Sequence, residues 1–166
     1  MEVICDAIKD GWIEDRFGSK GDVFVNGMPG LSVPLRISDA PEGTASFAVI
    51  MDDYDAVAVS GFNWVHWTLC DLKRPELEEG ESHRYKDFVE GCNSWHSIAS
   101  PNSVEEATGY GGPAPPDKAH RYTITVYALD TELGLKRGFL LNELYFAMKD
   151  HILGQKTVVG LYSPKN

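Results

Sequence analysis

Four residues of this chain carry side chains that can move a proton or grip a small charged ligand, and each stands at the end of an apolar row. In FAVIMDDYDA alternate side chains of an extended strand share a face, so Phe47, Val49, Met51 and Asp53 form an apolar row closed by a carboxylate. In HRYTITVYA the row His120, Tyr122, Ile124, Val126, Ala128 opens with an imidazole and a phenol. In WVHWTL, Trp64 and His66 share a face, opposite Val65 and Trp67. Arg121 falls opposite His120, where a structural ion pair is expected. Three strands then bring Asp53, His66 and the His120–Tyr122 pair to one side, at the rim of a core.

The stretch GYGGPAPPDKAHRY, from Gly109, adds backbone to these side chains. Gly111 and Gly112 permit close approach, and Pro113, Pro115 and Pro116 restrict the loop before a ligand arrives. Backbone N–H groups of such a loop, with histidine and tyrosine donors, suit a phosphate, sulfate or carboxylate. Asp53 would orient a histidine or receive a ligand's ammonium group, which suits a zwitterion. Singly, each residue has a plain structural role: His66 as a semi-buried strand histidine, Asp53 beside Asp52 and Asp55 as turn chemistry, Tyr122 as a core aromatic. It is the set that points to a site.

Asp53, His66 and His120 also have the residue types of a two-histidine, one-carboxylate metal centre. Rigid N–H donors favour an anion over a cation, so neither metal nor cofactor is expected. Ser60 precedes Gly61 without the G-x-S-x-G elbow of a serine nucleophile, and no basic clamp or metal cluster for phosphoryl chemistry stands out. The expectation is a non-catalytic binding protein.

These residues need strands to position them. DVFVNG, SFAVIMDD, WVHWTLCDL, RYTITVYALD and TVVGLY are rich in Val, Ile, Thr and aromatics and bounded by turn residues. PEGTAS before Phe47 reads as a tight turn. GFLLNELYFAMKDHILG places Leu141, Leu144, Tyr145, Met148 and Ile152 on one helical face, bracketed by Gly138 and Gly154. The acidic RPELEEGESHRYKDFVEG reads as a solvated excursion. The fold class is therefore mostly β, two packed sheets with one clear helix near the C-terminus. At 166 residues the chain is read as a single domain, 1–166.

A net charge of −10 disfavours nucleic acid and anionic membrane surfaces. No apolar run reaches the roughly 18 residues of a membrane span, and no secretory leader is evident, so a cytoplasmic protein is expected. Cys5, Cys70 and Cys92 form no C-x-x-C pair, and neither a disulfide framework nor a zinc ribbon is expected.

In their order along the chain, PEGTASF (from Pro41), DYDAV (Asp53–Val57), WVHW (Trp64–Trp67), GYGGPAPP…HRY, and the ending ELYFAMKDHIL and TVVGLYS resemble the phosphatidylethanolamine-binding proteins. The likeness is to their compact bacterial and archaeal, Raf-kinase-inhibitor-like branch, and it runs from about Gly27 onward. It implies a β-sandwich with a small anion pocket at one end, lined by Asp53, Asp55, Trp64, His66, Gly111, Gly112, Pro113, His120 and Tyr122. The implied ligand is a phosphate or a phosphorylated headgroup such as phosphoethanolamine. Inhibition of a serine protease or a kinase is the alternative, and a homodimer is expected. Tyr54 and Val57 replace the two prolines of the family's D-P-D-A-P, which implies a looser wall or one filled by the tyrosine ring. CNSWHSIASPNSVEEAT is longer than the connection usual in compact members. That segment is expected to form a lid or to alter which ligand fits, and its Trp95–Glu106 part is either the inhibitory segment or an ordinary family-variable insertion. The given sequence stops soon after its last strand, without the C-terminal helix that flanks the pocket in animal members, which sets lipid-tail contacts and kinase inhibition apart.

Overall fold

The computed structural model describes residues 1–84 and 87–165. Its strands are β1 (Glu2–Ile4), β2 (Ile8–Lys9), β3 (Trp12–Ile13), β4 (Phe24–Val25), β5 (Met28–Pro29), β6 (Leu35–Ser38), β7 (Ser46–Asp53), β8 (Trp64–Leu72), β9 (Glu76–Leu77), β10 (Val89–Glu90), β11 (His96–Ser97), β12 (Ser100–Pro101), β13 (His120–Leu129) and β14 (Ile152–Tyr162). Helical elements are short: 3-10 turns at Asp15–Phe17 and Tyr54–Ala56, the second running into α1 (Val57–Ser60), and α2, which spans Leu141–Met148. A seven-stranded sheet, β10-β8-β7-β13-β14-β3-β2, faces a three-stranded one, β1-β6-β9.

The long strands are the segments whose patterning called for them. β7 is buried along its whole length because β8 and β13 flank it and apolar layers cover both faces. Its Phe47, Val49 and Met51 join Trp67, Leu69 and Leu72 of β8, Tyr122, Ile124, Val126 and Ala128 of β13, and Val3, Leu35, Ile37 and Leu77 of the small sheet in the main core. Its Ala48 and Ile50 face the other way, under Phe139, Leu144 and Met148, so α2 roofs the outer face of the sheet. Burying each such side chain contributes about 1.5–3 kcal/mol.

Two sequence expectations change. The helix expected to reach Gly154 stops at Met148: Asp150 takes a left-handed backbone (φ 66°), and Ile152 begins β14, paired with Leu129. The extended pairing of Ile152–Tyr162 with β13 outweighs continued helical periodicity. Second, the short strands β1, β2, β3 and β6 close the sandwich with two to four residues each, too few to give a periodic signal. Within the acidic excursion, Tyr85 and Lys86 lie outside the described residues.

No helix among the described residues is long and apolar enough to cross a membrane.

Candidate functional site

The register of three neighbouring strands assembles the site. Asp53, the last residue of β7, is paired with Trp64 on β8 and with Tyr122 on β13. On β8 a bulge opens between the partners of Met51 and Asp52, and His66 is its extra residue. Bulges re-aim side chains in this way. Strict alternation expects Trp67 opposite His66. The bulge instead leaves Trp67 in the main core, with His66 stacking edge-on against Tyr122 at 5.0 Å on the same side.

Asp53 is oriented from its own C-terminal side. One carboxylate oxygen accepts the Ala56 N–H at 3.1 Å, which caps the helical segment that follows. The other faces His120 Nδ1 at 2.7 Å. The second ring nitrogen of His120, Nε2, meets Asp117 Oδ1 at 2.9 Å. A carboxylate only accepts, so both ring nitrogens donate and His120 is an imidazolium. Burial opposes that charge, and the hydrogen bonds donated to Asp53 and Asp117 outweigh it and raise the pKa above the ordinary histidine value. The His120 bond in turn holds the Asp117 carboxyl below its ordinary range.

His66 is in the opposite state. Its Nδ1 donates to the Gly111 carbonyl at 2.6 Å, which assigns the proton of the neutral ring to Nδ1 and leaves Nε2 as a lone-pair acceptor. Burial lowers its pKa, and the Gly111 bond and the nearby aspartates only partly offset this. Nε2 has no hydrogen-bond partner among the described residues, nor has the Trp64 indole N–H or the Tyr122 hydroxyl, all three buried. The Tyr122 hydroxyl lies by the Ala114 backbone without a well-formed bond, and burial pushes its pKa far up.

A cavity of about 370 Å³ lies over these groups, lined by Asp53, Trp64, His66, His120 and Tyr122 together with Ala56, Val59 and Ser60 of the helical segment, Ala114, Pro115 and Pro116, and Trp95, Ala99 and Ser100. That size suits a small ligand. The Trp95–Glu106 segment contributes to the pocket wall: β11 and β12 form a hairpin, Ala99 and Ser100 enter the wall, and Trp95 packs edge-on against Trp64 at 5.2 Å and His66 at 5.5 Å.

Several sequence candidates take other places. Gly111 and Gly112 do not present free N–H groups, because these donate to the His66 and Pro29 carbonyls at 2.8 Å each. Both glycines admit neighbouring protein: a Cβ at Gly111 would meet the Trp95 ring at 2.7 Å, and one at Gly112 would overlap the Phe17 carbonyl oxygen. The Pro113 carbonyl accepts the Ser19 N–H at 2.7 Å, so the cavity wall is the next three residues, Ala114 to Pro116. Asp55 grips Arg121 instead, through the backbone N–H and two guanidinium nitrogens at 2.8–3.0 Å, the ion pair expected of Arg121. Tyr54 is 62 % exposed and leaves the cavity unfilled; Val57 is also at the surface. The alternative metal set is not assembled, since both nitrogens of His120 already donate to carboxylates. Ser60 Oγ lies within 2.9 Å of both the Ala56 and Phe62 carbonyls, a helix-end bond rather than a nucleophile's. Reasoning from sequence missed Asp117, although its place three residues before His120 was a legible signal.

The family model for phosphatidylethanolamine-binding protein matches residues 6–163. An uncharacterised protein of Bacillus subtilis, YxkA, is 44% identical over 153 residues, which cover 89% of this chain and 91% of that one. A UPF0098 protein of Pyrococcus abyssi is 34% identical over 137 residues, 80% of this chain and 71% of its own. Among solved structures, a phosphatidylethanolamine-binding protein homolog of Chlamydia trachomatis superposes with a TM-score of 0.78 at 28% identity, over 98% of this chain and 97% of that one. Escherichia coli YbcL shares the fold, with a TM-score of 0.79 at 24% identity over 99% and 98% of the two chains. With a family model matching residues 6–163 and a relative 44% identical over most of both chains, the chain belongs to the phosphatidylethanolamine-binding protein family.

Proposed function

We propose that this protein is a non-catalytic binder of a small phosphorylated ligand, either free phosphate or a headgroup such as phosphoethanolamine. The observation that carries this reading is that three of the residues around one cavity hold buried polar atoms without a hydrogen-bond partner among the described residues: Trp64 Nε1, His66 Nε2 and the Tyr122 hydroxyl. Leaving such a group unmet costs about 1–3 kcal/mol each, a cost that a ligand supplying partners removes. The indole and phenol donate to ligand oxygens. The bare Nε2 of His66 accepts from a P–OH or an ammonium, and the His120 imidazolium adds positive charge. The mixed set of donors and one acceptor fits a protonated phosphate or a zwitterion better than a bare carboxylate. Three free, buried cysteines support placing this activity in the cytoplasm.

The test is a titration with phosphate, phosphoethanolamine and acetate, followed by the NMR signals of the Trp64 indole and both histidine rings. Saturable shifts with phosphate or phosphoethanolamine, and weaker ones with acetate, are expected. Tyr122→Phe is expected to weaken binding about tenfold while leaving stability unchanged or higher, because it removes an unmet hydroxyl. No shift at millimolar ligand sinks the reading.

A second reading, inhibition of a protease or kinase, is favoured by one feature: Ile98, at the hairpin tip, is 101 % exposed. Under it, Ile98→Asp abolishes inhibition and leaves ligand binding intact.

A further inference from the structure

His120 has two carboxylate partners of unequal standing. Asp53 is 3 % exposed and its other oxygen is committed to the Ala56 N–H, so the fold fixes it. The Asp117 side chain is 41 % exposed. It follows directly on the cavity-lining Pro115 and Pro116 and meets His120 Nε2 by a single contact of 2.9 Å. His120 itself lines the cavity. An anionic ligand in that cavity and the Asp117 carboxylate therefore seek the same N–H.

We propose that Asp117 is a built-in competitor for the ligand, an internal carboxylate that occupies His120 Nε2 and is displaced when a stronger anion enters. This rests on the anion-pocket reading above and deepens it into a statement about specificity. Asp53, Asp117 and His120 together carry two negative charges against one positive. A ligand carboxylate gains nothing at Nε2 that Asp117 does not already supply, and it meets a like charge 2.9 Å from that nitrogen. With one oxygen at Nε2, a phosphate still has two for the Tyr122 and Trp64 donors and a P–OH for His66, whereas acetate has a single further oxygen and no proton to donate, so phosphate can displace Asp117 where acetate cannot. The side chain's exposure allows the movement: once released, the carboxylate goes to water, whereas Asp53 would be left buried and uncompensated.

The test compares parent, Asp117→Asn and Asp117→Ala with inorganic phosphate and with acetate, by calorimetry at about pH 6, where a free histidine is still largely protonated. Removing the competing charge is expected to tighten phosphate binding roughly tenfold, the equivalent of one charge-assisted hydrogen bond, and acetate binding by at least as much, so that the preference for phosphate narrows. In the parent, saturating phosphate is expected to move the Asp117 carboxyl carbon signal to that of a solvated carboxylate, a readout that needs no variant to fold. Phosphate binding to the parent with no tightening in either variant, or with an unmoved Asp117 signal, overturns the competitor. Phosphate binding to none of the three proteins overturns the anion pocket and the competitor with it.

Discussion

The two site histidines are held in opposite charge states by contacts less than 3 Å long. His120 donates from both nitrogens to carboxylates and is kept charged, while His66 donates once to a backbone carbonyl and is kept neutral. Their contributions to stability therefore run against each other with pH. The raised pKa of His120 means that the folded chain holds a proton the unfolded chain releases above about pH 6.5, so this contribution is complete below that pH and is lost as pH rises through the folded value. The lowered pKa of His66 means that the unfolded chain takes up a proton the folded chain refuses, so stability falls as pH drops from about 6.5 toward the folded value. Together they place a maximum of their joint contribution near pH 6.5. Urea midpoints measured from pH 5 to 9 are expected to fall on both sides in the parent. His120→Gln should flatten the alkaline limb and His66→Gln the acid limb. If the two variants flatten the same limb, the charge assignment is wrong.

At the scale of elements, what the sequence revealed and what it hid have separate physical causes. Alternation along β7 and β13 is uninterrupted near the site, so the convergence of Asp53, His120 and Tyr122 could be read from period-two patterning alone. The bulge at His66 leaves no local mark, because an extra residue is defined only against the partner strand. The Gly/Pro stretch was recognisable as a wall but not in its details. Glycine signals a close approach without naming what approaches, and here Trp95 and the Phe17 carbonyl do. That distinction is testable. Gly112→Ala, aimed at backbone, is expected to cost about 1–3 kcal/mol, visible as a lower urea midpoint. Gly111→Ala, aimed at the Trp95 ring, is expected to cost less and instead to shift the Trp95 indole signal and weaken phosphate binding, because Trp95 can yield only by moving the hairpin that walls the cavity. Had these glycines served a ligand, both alanines would leave stability unchanged.

Over the whole molecule, the seven-stranded sheet separates two apolar layers with different tasks. The main core, between the sheets, continues directly into the site: Tyr122 belongs to both, and Met51 lies two residues from Asp53. The outer layer under α2, built from Ala48, Ile50, Cys70, Leu129, Phe139, Leu144 and Met148, shares no residue with the cavity wall. The layers meet through the backbone of β7, β8 and β13, whose pairing is held by ladder hydrogen bonds that do not depend on which side chains cover the outer face. Truncation in the outer layer should therefore lower stability without altering the site. Leu144→Ala is expected to cost about 2–5 kcal/mol, since Leu144 is fully buried and an eight-residue helix has little else to hold it down. Its His66, His120 and Trp64 signals should match the parent, and phosphate should titrate with the same midpoint. Met51→Ala, of similar cost, is expected to shift those signals, because its cavity opens beneath His66 and Trp67. If Leu144→Ala disturbs the site as much as Met51→Ala does, the sheet transmits packing changes through its thickness, and the division of labour between the two layers fails.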